Sequence, residues 1–134
     1  MAYRSDIYIK TTRDGYKKLR EKIKEKNENG LKLLDNYGEL FFNKNEDTIT
    51  IEMTYMKWYD MFDDVGSIEY AMDEISDTYP LHFIRIGEQV DDVEENYYYP
   101  DDFSGDFDCL EFYRYVKPIG EKTTTEDILN NQAV

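Results

Sequence analysis

The residues best suited to chemistry lie in segment 81–115, where two apolar stretches flank a loop rich in Asp, Glu and Tyr. Between Arg85 and Arg114 there is no other basic residue, and the interval contains ten carboxylates. Such a loop suits protein binding, because Tyr offers a large and rigid contact area at low entropic cost. Carboxylates spaced along an extended segment also resemble a phosphate backbone and would steer a basic partner toward it.

We therefore expect a partner to contact this loop and the acidic side of a neighbouring helix. The expected contacts are Asp91, Asp92, Glu94, Glu95, Tyr97, Tyr98, Tyr99, Asp101 and Asp102, with Glu69, Asp73 and Glu74 as outlying contributors.

Catalytic residues are not predicted. His82 is the single His and lies inside a strand pattern, which favours a structural role. Cys109 has no basic neighbours in the sequence that would activate a thiolate. A carboxylate pair such as Asp91 and Glu94 is able in principle to do acid–base work, but none of the ten is marked as desolvated.

Segment 101–108, DDFSGDFD, places oxygen ligands at alternate positions, as a calcium loop does. Counted from Asp102, however, Phe107 stands where an EF-hand requires Gly, and no Glu follows at the last ligand position. We predict no metal ion and no cofactor, and a cation site of another kind remains an alternative.

The charge of the chain narrows the class of partner. Its formal net charge is −14, which disfavours direct binding to nucleic acid or to an anionic membrane and favours basic partners. The charge is unevenly placed, with a net of +5 in residues 1–34, −18 in 35–116 and −1 in 117–134. A single Cys excludes a disulfide within one chain, and no apolar run approaches a membrane span, so we expect a soluble, cytoplasmic protein.

Hydrophobic periodicity predicts the elements that position the loop. Segment 6–10 alternates as a half-buried strand, and Thr11 or Thr12 is a helix N-cap candidate. A basic helix follows, with Gly30 expected just after its end. Its apolar stripe comprises Tyr16, Leu19 and Ile23.

Segment 31–34 is a possible strand, and segments 39–43 and 48–56 predict an antiparallel hairpin. The inward face expected of the second hairpin strand comprises Ile49, Ile51, Met53 and Tyr55.

Segment 60–64 leads into a second helix, which Asp63, Asp64 or Ser67 would cap. Segment 81–86 is a buried strand, 90–99 an edge strand or an ordered loop, and 109–116 a last strand. The apolar stripe of the second helix comprises Val65, Ile68, Met72 and Ile75.

The resulting order, β-α-β-β-α-β-β, predicts an α+β fold of two layers. We expect a mainly antiparallel sheet with two helices on one face, in the ferredoxin-like arrangement. A single domain should span residues 1–117, followed by a loosely ordered tail over 118–134.

Four short motifs give the chain a family likeness: Tyr3-Arg4-Ser5-Asp6, Lys57-Trp58-Tyr59, Phe83-Ile84-Arg85-Ile86-Gly87-Glu88 and Asp91-Asp92-Val93-Glu94-Glu95. Through them, most of residues 3–95 resembles small acidic proteins encoded by phages and prophages. The resemblance implies a counter-defence role, since such proteins include anti-CRISPR and anti-restriction inhibitors that mimic DNA. The basic first helix departs from a simple DNA mimic, so inhibition through a specific protein–protein contact is an equal expectation.

The leading hypothesis is a non-enzymatic inhibitor whose acidic surface occupies a basic, nucleic-acid-binding surface of a host defence protein. One alternative is a self-assembling structural or regulatory module, in which the basic first helix of one copy meets the acidic face of another. A cation-binding protein or small enzyme is the third hypothesis.

Overall fold

The computed structural model describes residues 3–110, 118 and 120–130. Its strands are β1 (Ser5–Thr12), β2 (Glu39–Asn43), β3 (Thr48–Met56), β4 (Leu81–Gly87), β5 (Val93–Tyr98) and β6 (Glu121–Thr123). Its helices are α1 (Arg13–Lys26), α2 (Glu28–Tyr37), α3 (Asp63–Ile75) and α4 (Thr125–Leu129). All these strands belong to one six-stranded antiparallel sheet, in the order β5-β4-β1-β3-β2-β6.

The α+β class and the antiparallel sheet are confirmed, whereas the ferredoxin-like arrangement is not. The described residues form six strands and four helices, against the five strands and two helices expected, and the strand order differs. The additional elements are α2, which extends the helical layer, and β6 with α4, which come from the end of the chain. Among the described residues, no helix is both long and apolar enough to cross a membrane.

The main core lies between one face of the sheet and the helices. Register places Ile9 of β1 between Ile51 of β3 and Phe83 of β4, and all three are buried. The predicted stripes of α1 and α3 are buried against this face, as expected from their spacing. Each fully buried side chain of this size stabilises the fold by about 1.5–3 kcal/mol.

The two ends of α1 show one correct prediction and one error. Thr12 is the N-cap, and its Oγ1 accepts a hydrogen bond from the Gly15 N–H at 2.9 Å. The helix ends at Lys26, so Gly30 does not follow its end but lies inside α2. There, a Cβ at position 30 would collide with the hydroxyl of Ser67, so glycine allows α2 to approach α3 closely.

The possible strand at 31–34 is wrong, because these residues form part of α2. Asn27 caps this helix through its Oδ1, which accepts a hydrogen bond from the Asn29 N–H at 2.9 Å. Leu31 and Leu34 are three residues apart, so both reach the core from one helix face.

The hairpin of β2 and β3 is confirmed, but Tyr55 does not face the core. Ile7 pairs with Met53 and Ser5 with Met56, so β3 contains one extra residue at this point. Tyr55 adopts a left-handed φ of 59° in this bulge, and 68% of its surface is exposed. An irregularity of this kind breaks the alternation from which the inward face was predicted.

The expected capping of α3 is also wrong. Phe62 occupies the N-cap position and makes no side-chain capping bond. Asp63 and Asp64 lie in the first turn, where negative charge interacts favourably with the helix dipole. The Ser67 hydroxyl donates a hydrogen bond to the Asp64 carbonyl instead of capping.

The acidic segment forms the last antiparallel hairpin of the described sheet. Segment 81–86 is the buried strand β4, as predicted, and 93–98 is the edge strand β5. The strand predicted at 109–116 falls largely on residues 111–116, which lie outside the described residues; Cys109 and Leu110 are not in a strand.

The part of the tail that the structure describes is packed, in contrast to the loose segment expected. Strand β6 pairs with β2, with Leu40 opposite Thr123. Ile128 of α4 is 2% exposed and belongs to the main core. The hydroxyl groups of Tyr16 and Thr125 are hydrogen-bonded at 2.9 Å. Two adjacent apolar residues, Ile128 and Leu129, in an otherwise polar segment show no periodicity, so this docking has no local signal.

Candidate protein-binding surface

The predicted contacts in segment 91–102 lie along one end of the sheet. Among the described strands, β5 is the outermost on that side; it pairs with β4, and all six of its residues are exposed. Asp91 and Asp92 precede it in a turn, and Tyr99, Asp101 and Asp102 follow it. We call β5 with these flanking residues the acidic edge.

The side chains of the acidic edge point to both faces of the sheet. Register places Glu95 beside Ile84 and Tyr97 beside His82, on the face of the sheet away from the helices. Glu94, Asn96 and Tyr98 alternate with these and face the helical side.

Two of the three outlying contacts join the acidic edge. Glu69 and Asp73 of α3 line a cavity of about 120 Å³ together with Tyr98 of β5. Glu74 lies elsewhere, because it accepts a hydrogen bond from the Tyr70 hydroxyl at 3.2 Å, and the Tyr70 ring contacts Lys26 of α1. The structure therefore separates Glu74 from the other predicted contacts.

Arg85 on β4 neutralises part of the acidic edge. Its guanidinium donates to both carboxylate oxygens of Asp92, at 2.8 and 3.1 Å, and to Glu94 at 3.1 Å. The Tyr3 hydroxyl also donates to Asp92. The hydrogen bonds from Arg85 and then from Tyr3 lower the pKa of Asp92 to about 2, and the bond to Asp92 raises the pKa of Arg85. Asp92 therefore stabilises the fold, in addition to contributing negative charge to the acidic edge.

His82 has the structural role that its strand position predicts. The side chain is 1% exposed, and its Nδ1 accepts a hydrogen bond from the Leu110 N–H at 3.0 Å. Because Nδ1 accepts, the ring proton lies on Nε2, which donates to Glu95 at 2.6 Å. Glu95 is thus a second carboxylate of the acidic edge that is bound internally, although half of its side chain remains exposed.

Lys10 and Glu46 form a buried ion pair that holds in place the segment after the acidic edge. Neither residue is among the partner contacts predicted from the sequence. The Lys10 side chain is 3% exposed, and its Nζ lies 2.9 Å from Glu46 and donates to the Asp108 carbonyl at 2.6 Å. Glu46 in turn accepts from the Asp108 N–H at 2.6 Å. The Lys10 Nζ also lies 5.0 Å from the centre of the buried Phe107 ring. Lys10, Glu46 and Asp108 lie in three distant parts of the chain, so no local sequence pattern predicts that they meet.

Two of the three tyrosines of the acidic edge, Tyr97 and Tyr99, are held by the same segment. The Tyr97 hydroxyl donates to the Phe107 carbonyl at 3.3 Å, and the Tyr99 hydroxyl donates to the Gly105 carbonyl at 3.0 Å. The Tyr99 ring packs edge-on against Phe103 at 5.5 Å. Burial, followed by a hydrogen bond with Cys109, raises the pKa of Tyr97 to about 12. The aromatic side chains are therefore ordered while they remain accessible.

Burial also perturbs Glu69. Loss of solvent raises the pKa of this carboxyl, and a hydrogen bond at 2.9 Å from Trp58 Nε1 opposes the rise. Glu69 is therefore a partly buried residue bound to Trp58, and Asp73 is the more exposed α3 contact.

A cleft beside residues 102–104 is lined by carboxylates from several segments of the chain. It has a volume of about 520 Å³ and includes Asp102, Phe103 and Tyr79. Its acidic lining also comprises Asp14, Glu46, Asp47 and Asp77. No local sequence pattern indicates this extension of the acidic surface, because its members come from different parts of the chain.

No group of three or more His, Cys, Asp or Glu side chains within the described ranges is arranged to hold a metal ion. In segment 101–108, Phe107 occupies the position at which an EF-hand requires Gly, and its buried ring lies beside the Lys10 ammonium.

The basic residues of α1 are largely engaged within the molecule. Arg20 pairs with Asp35 at 2.8 Å, and Arg13 pairs with Asp47 at 3.0 Å. Along the helix surface, Lys18–Glu21 and Lys22–Glu25 form pairs at 3.1 and 3.4 Å. Self-assembly through this helix would compete with these contacts, and it stays an untested prediction.

Comparisons of this chain with protein-family models, with curated proteins and with solved structures find no match.

Proposed function

We propose that this protein is a non-enzymatic binding protein that places its acidic edge on a basic surface of a protein partner. The partner would be a nucleic-acid-handling defence protein of the host, and binding would inhibit it, as in the anti-CRISPR and anti-restriction classes. One observation carries the proposal: β5, the outermost of the described strands and exposed at every residue, presents tyrosines and carboxylates together, and two of these tyrosines are held by internal hydrogen bonds.

The tyrosines supply the anchoring contacts. Tyr97, Tyr98 and Tyr99 are 41%, 39% and 45% exposed, so each ring combines a packed part with an accessible part. Internal hydrogen bonds from two of the hydroxyl groups restrict the rings before binding. Rigid, half-exposed Tyr residues are typical of binding hot spots, because little side-chain entropy is lost on association.

The carboxylates divide into two groups with different roles. Asp92, Glu94 and Glu95 already bind Arg85 or His82, so a partner gains less from contacting them. The side chains of Asp91, Asp101 and Asp102 are exposed and make no ion pair or hydrogen bond with the described residues. We assign the main direct charge contacts to this second group, and weaker ones to Glu94 and Glu95, whose side chains stay about half exposed.

The total charge supports rapid capture of a basic partner. Segment 35–116 carries a net charge of −18, and the acidic edge lies within it. At physiological salt the field of exposed charges extends about 8 Å, so steering acts near contact and weakens as salt increases. This behaviour matches competition for a surface that ordinarily binds nucleic acid.

The test compares two charge-reversed proteins. The edge variant carries Asp91→Lys and Asp101→Lys, and the control carries Glu21→Lys and Glu25→Lys on the exposed side of α1. Each tagged protein is used to capture partners from host cells that carry defence systems, with identification by mass spectrometry. Binding of the identified partner is then measured from about 0.05 to about 0.5 M salt and in the presence of DNA or RNA.

We expect the wild type and the control to bind a basic, nucleic-acid-binding protein that nucleic acid displaces. The edge variant should bind it at least about tenfold more weakly, since two charge contacts become repulsive. Equal binding by both variants, or binding that salt and nucleic acid leave unchanged, would show that the acidic edge is not the docking surface.

A further inference from the structure

We infer that the partner segment binds as an added β-strand on the side of β5 away from β4, and that this segment is extended and rich in Lys and Arg. The inference rests on the proposed function, because it uses the same acidic edge and specifies the form of its partner. The partner segment is thus a basic β-strand rather than a helix or the wall of a groove in a folded protein.

The backbone of β5 presents hydrogen-bonding groups to the outside. Gly87 N donates to the Asp92 carbonyl at 2.8 Å, which marks this position as a hydrogen-bonded pair of the β4–β5 ladder. Because such pairs alternate in antiparallel strands, the N–H and C=O groups of Glu94 and Asn96 point toward β4. Those of Glu95 and Tyr97 consequently point to the side of β5 opposite β4.

Among the described strands, none lies beyond β5 on this side. The outward groups of Glu95 and Tyr97 therefore form a template for one more strand, as in other proteins that bind peptides by strand addition. A surface of this kind specifies an extended main chain, since the spacing of its donors and acceptors matches only another strand.

The side chains of β5 specify the charge of the added strand. Glu94 lies on the helical side and Glu95 on the opposite side, and their side chains remain 46% and 52% exposed. Asp73 extends the negative charge on the helical side. Successive residues of an added strand point to alternate sides, so Lys or Arg on both of its faces would meet carboxylates.

The same carboxylates act against wrong partners. Charged residues on an edge strand discourage pairing with neutral or acidic strands, and two β5 edges would bring glutamates of two copies together. A basic strand is the one partner for which these charges are favourable. The charges on β5 therefore favour a basic strand, in addition to preventing neutral or acidic strands from pairing there.

The test removes one outward N–H, and the same substitution also removes the Glu95 carboxylate that accepts a hydrogen bond from His82. Glu95→Pro deletes a donor that does not serve the β4 ladder, a position at which an edge strand tolerates proline. Glu95→Gln is the control for charge, because it loses the carboxylate charge and keeps both the N–H and an oxygen that can accept from His82. The loss of the His82 contact in Glu95→Pro is controlled separately by N-methylated peptides that are tested on the wild-type protein. The probe is a labelled ten-residue peptide of Lys, Thr and Val with Lys on both strand faces, and its binding is measured by fluorescence anisotropy.

We expect Glu95→Gln to weaken peptide binding only a few-fold and Glu95→Pro to weaken it about tenfold further. Two analogues, N-methylated at odd or at even residues, provide a second readout on the wild-type protein, so folding of the Pro variant does not decide the result. One analogue should bind like the parent peptide, and the other should fail, since only one set of amides faces β5.

Equal binding by Glu95→Pro and Glu95→Gln, or by both analogues, would overturn strand addition. If the Asp91→Lys and Asp101→Lys variant then still loses its partner, docking occurs through side chains and the proposed function stands. If that variant also binds normally, both proposals fail. Dimers of the wild type that Glu95→Pro dissociates would assign the edge to a second copy and would likewise overturn the inference.

Discussion

Replacement of Asp92 by Asn would separate the structural part of the acidic edge from its binding part. Asp92 receives two hydrogen bonds from Arg85, at 2.8 and 3.1 Å, and one from the Tyr3 hydroxyl. Together these join the turn before β5 to β4 and to the beginning of the described chain. Asp91→Asn is the matched control, because the neighbouring carboxylate is exposed and makes no such bond within the described residues.

The size of the effect follows from the pKa of Asp92. The folded-state pKa is about 2, against an ordinary value of 3.8. A shift of this size corresponds to at most about 2.5 kcal/mol. Since the side chain is 29% exposed, solvent screening reduces the expected loss of unfolding free energy to about 1–2 kcal/mol.

The pH dependence has a definite sign. A carboxyl whose pKa is lowered by folding contributes its full stabilisation above its unfolded pKa and loses it as pH falls through the folded value. The difference in unfolding free energy between the wild type and Asp92→Asn should thus be constant from pH 7 down to about 4, then shrink toward pH 2.

Urea unfolding followed by circular dichroism, at several pH values, measures this difference directly. Asp91→Asn should unfold within about 0.5 kcal/mol of the wild type at every pH. The reasoning would be refuted by an Asp92→Asn protein as stable as the wild type at pH 7, or by a difference that does not change between pH 4 and pH 2.

Three further outcomes are expected. Ile128→Ala should lower the unfolding free energy by about 2–4 kcal/mol in urea, because this tail residue is 2% exposed in the main core; a loose tail would give no change. Glu46→Gln should cost about 3 kcal/mol in the same assay by leaving the Lys10 ammonium, 3% exposed, without its counter-ion, whereas Asp47→Asn at an exposed pair should cost less than about 1 kcal/mol. In ultraviolet titration, one phenol with a pKa of about 12 should be present in the wild type and missing from Tyr97→Phe; a titration curve that this substitution leaves unchanged above pH 11 would contradict the assignment.

Local pattern was sufficient for the elements that carry their own periodicity. The stripes of α1 and α3 repeat every three or four residues, and β3 alternates along most of its length, so their type was predictable. The errors arise where another part of the chain decides. Tyr55 is turned outward by a bulge against β1, and α2 needs the cap at Asn27 together with a close approach to Ser67.

The sequence by itself determined that this protein is strongly acidic, that one segment concentrates carboxylates and tyrosines, and that the segment follows a buried strand. Only the tertiary structure decided which of those carboxylates remain available. Arg85 binds Asp92 and Glu94, and His82 binds Glu95, because antiparallel pairing brings β4 beside β5 in one register. The Lys10 contact to Asp108 joins residues 98 positions apart. Contacts between segments so distant depend on how the chain packs, and no local spacing of residues encodes them.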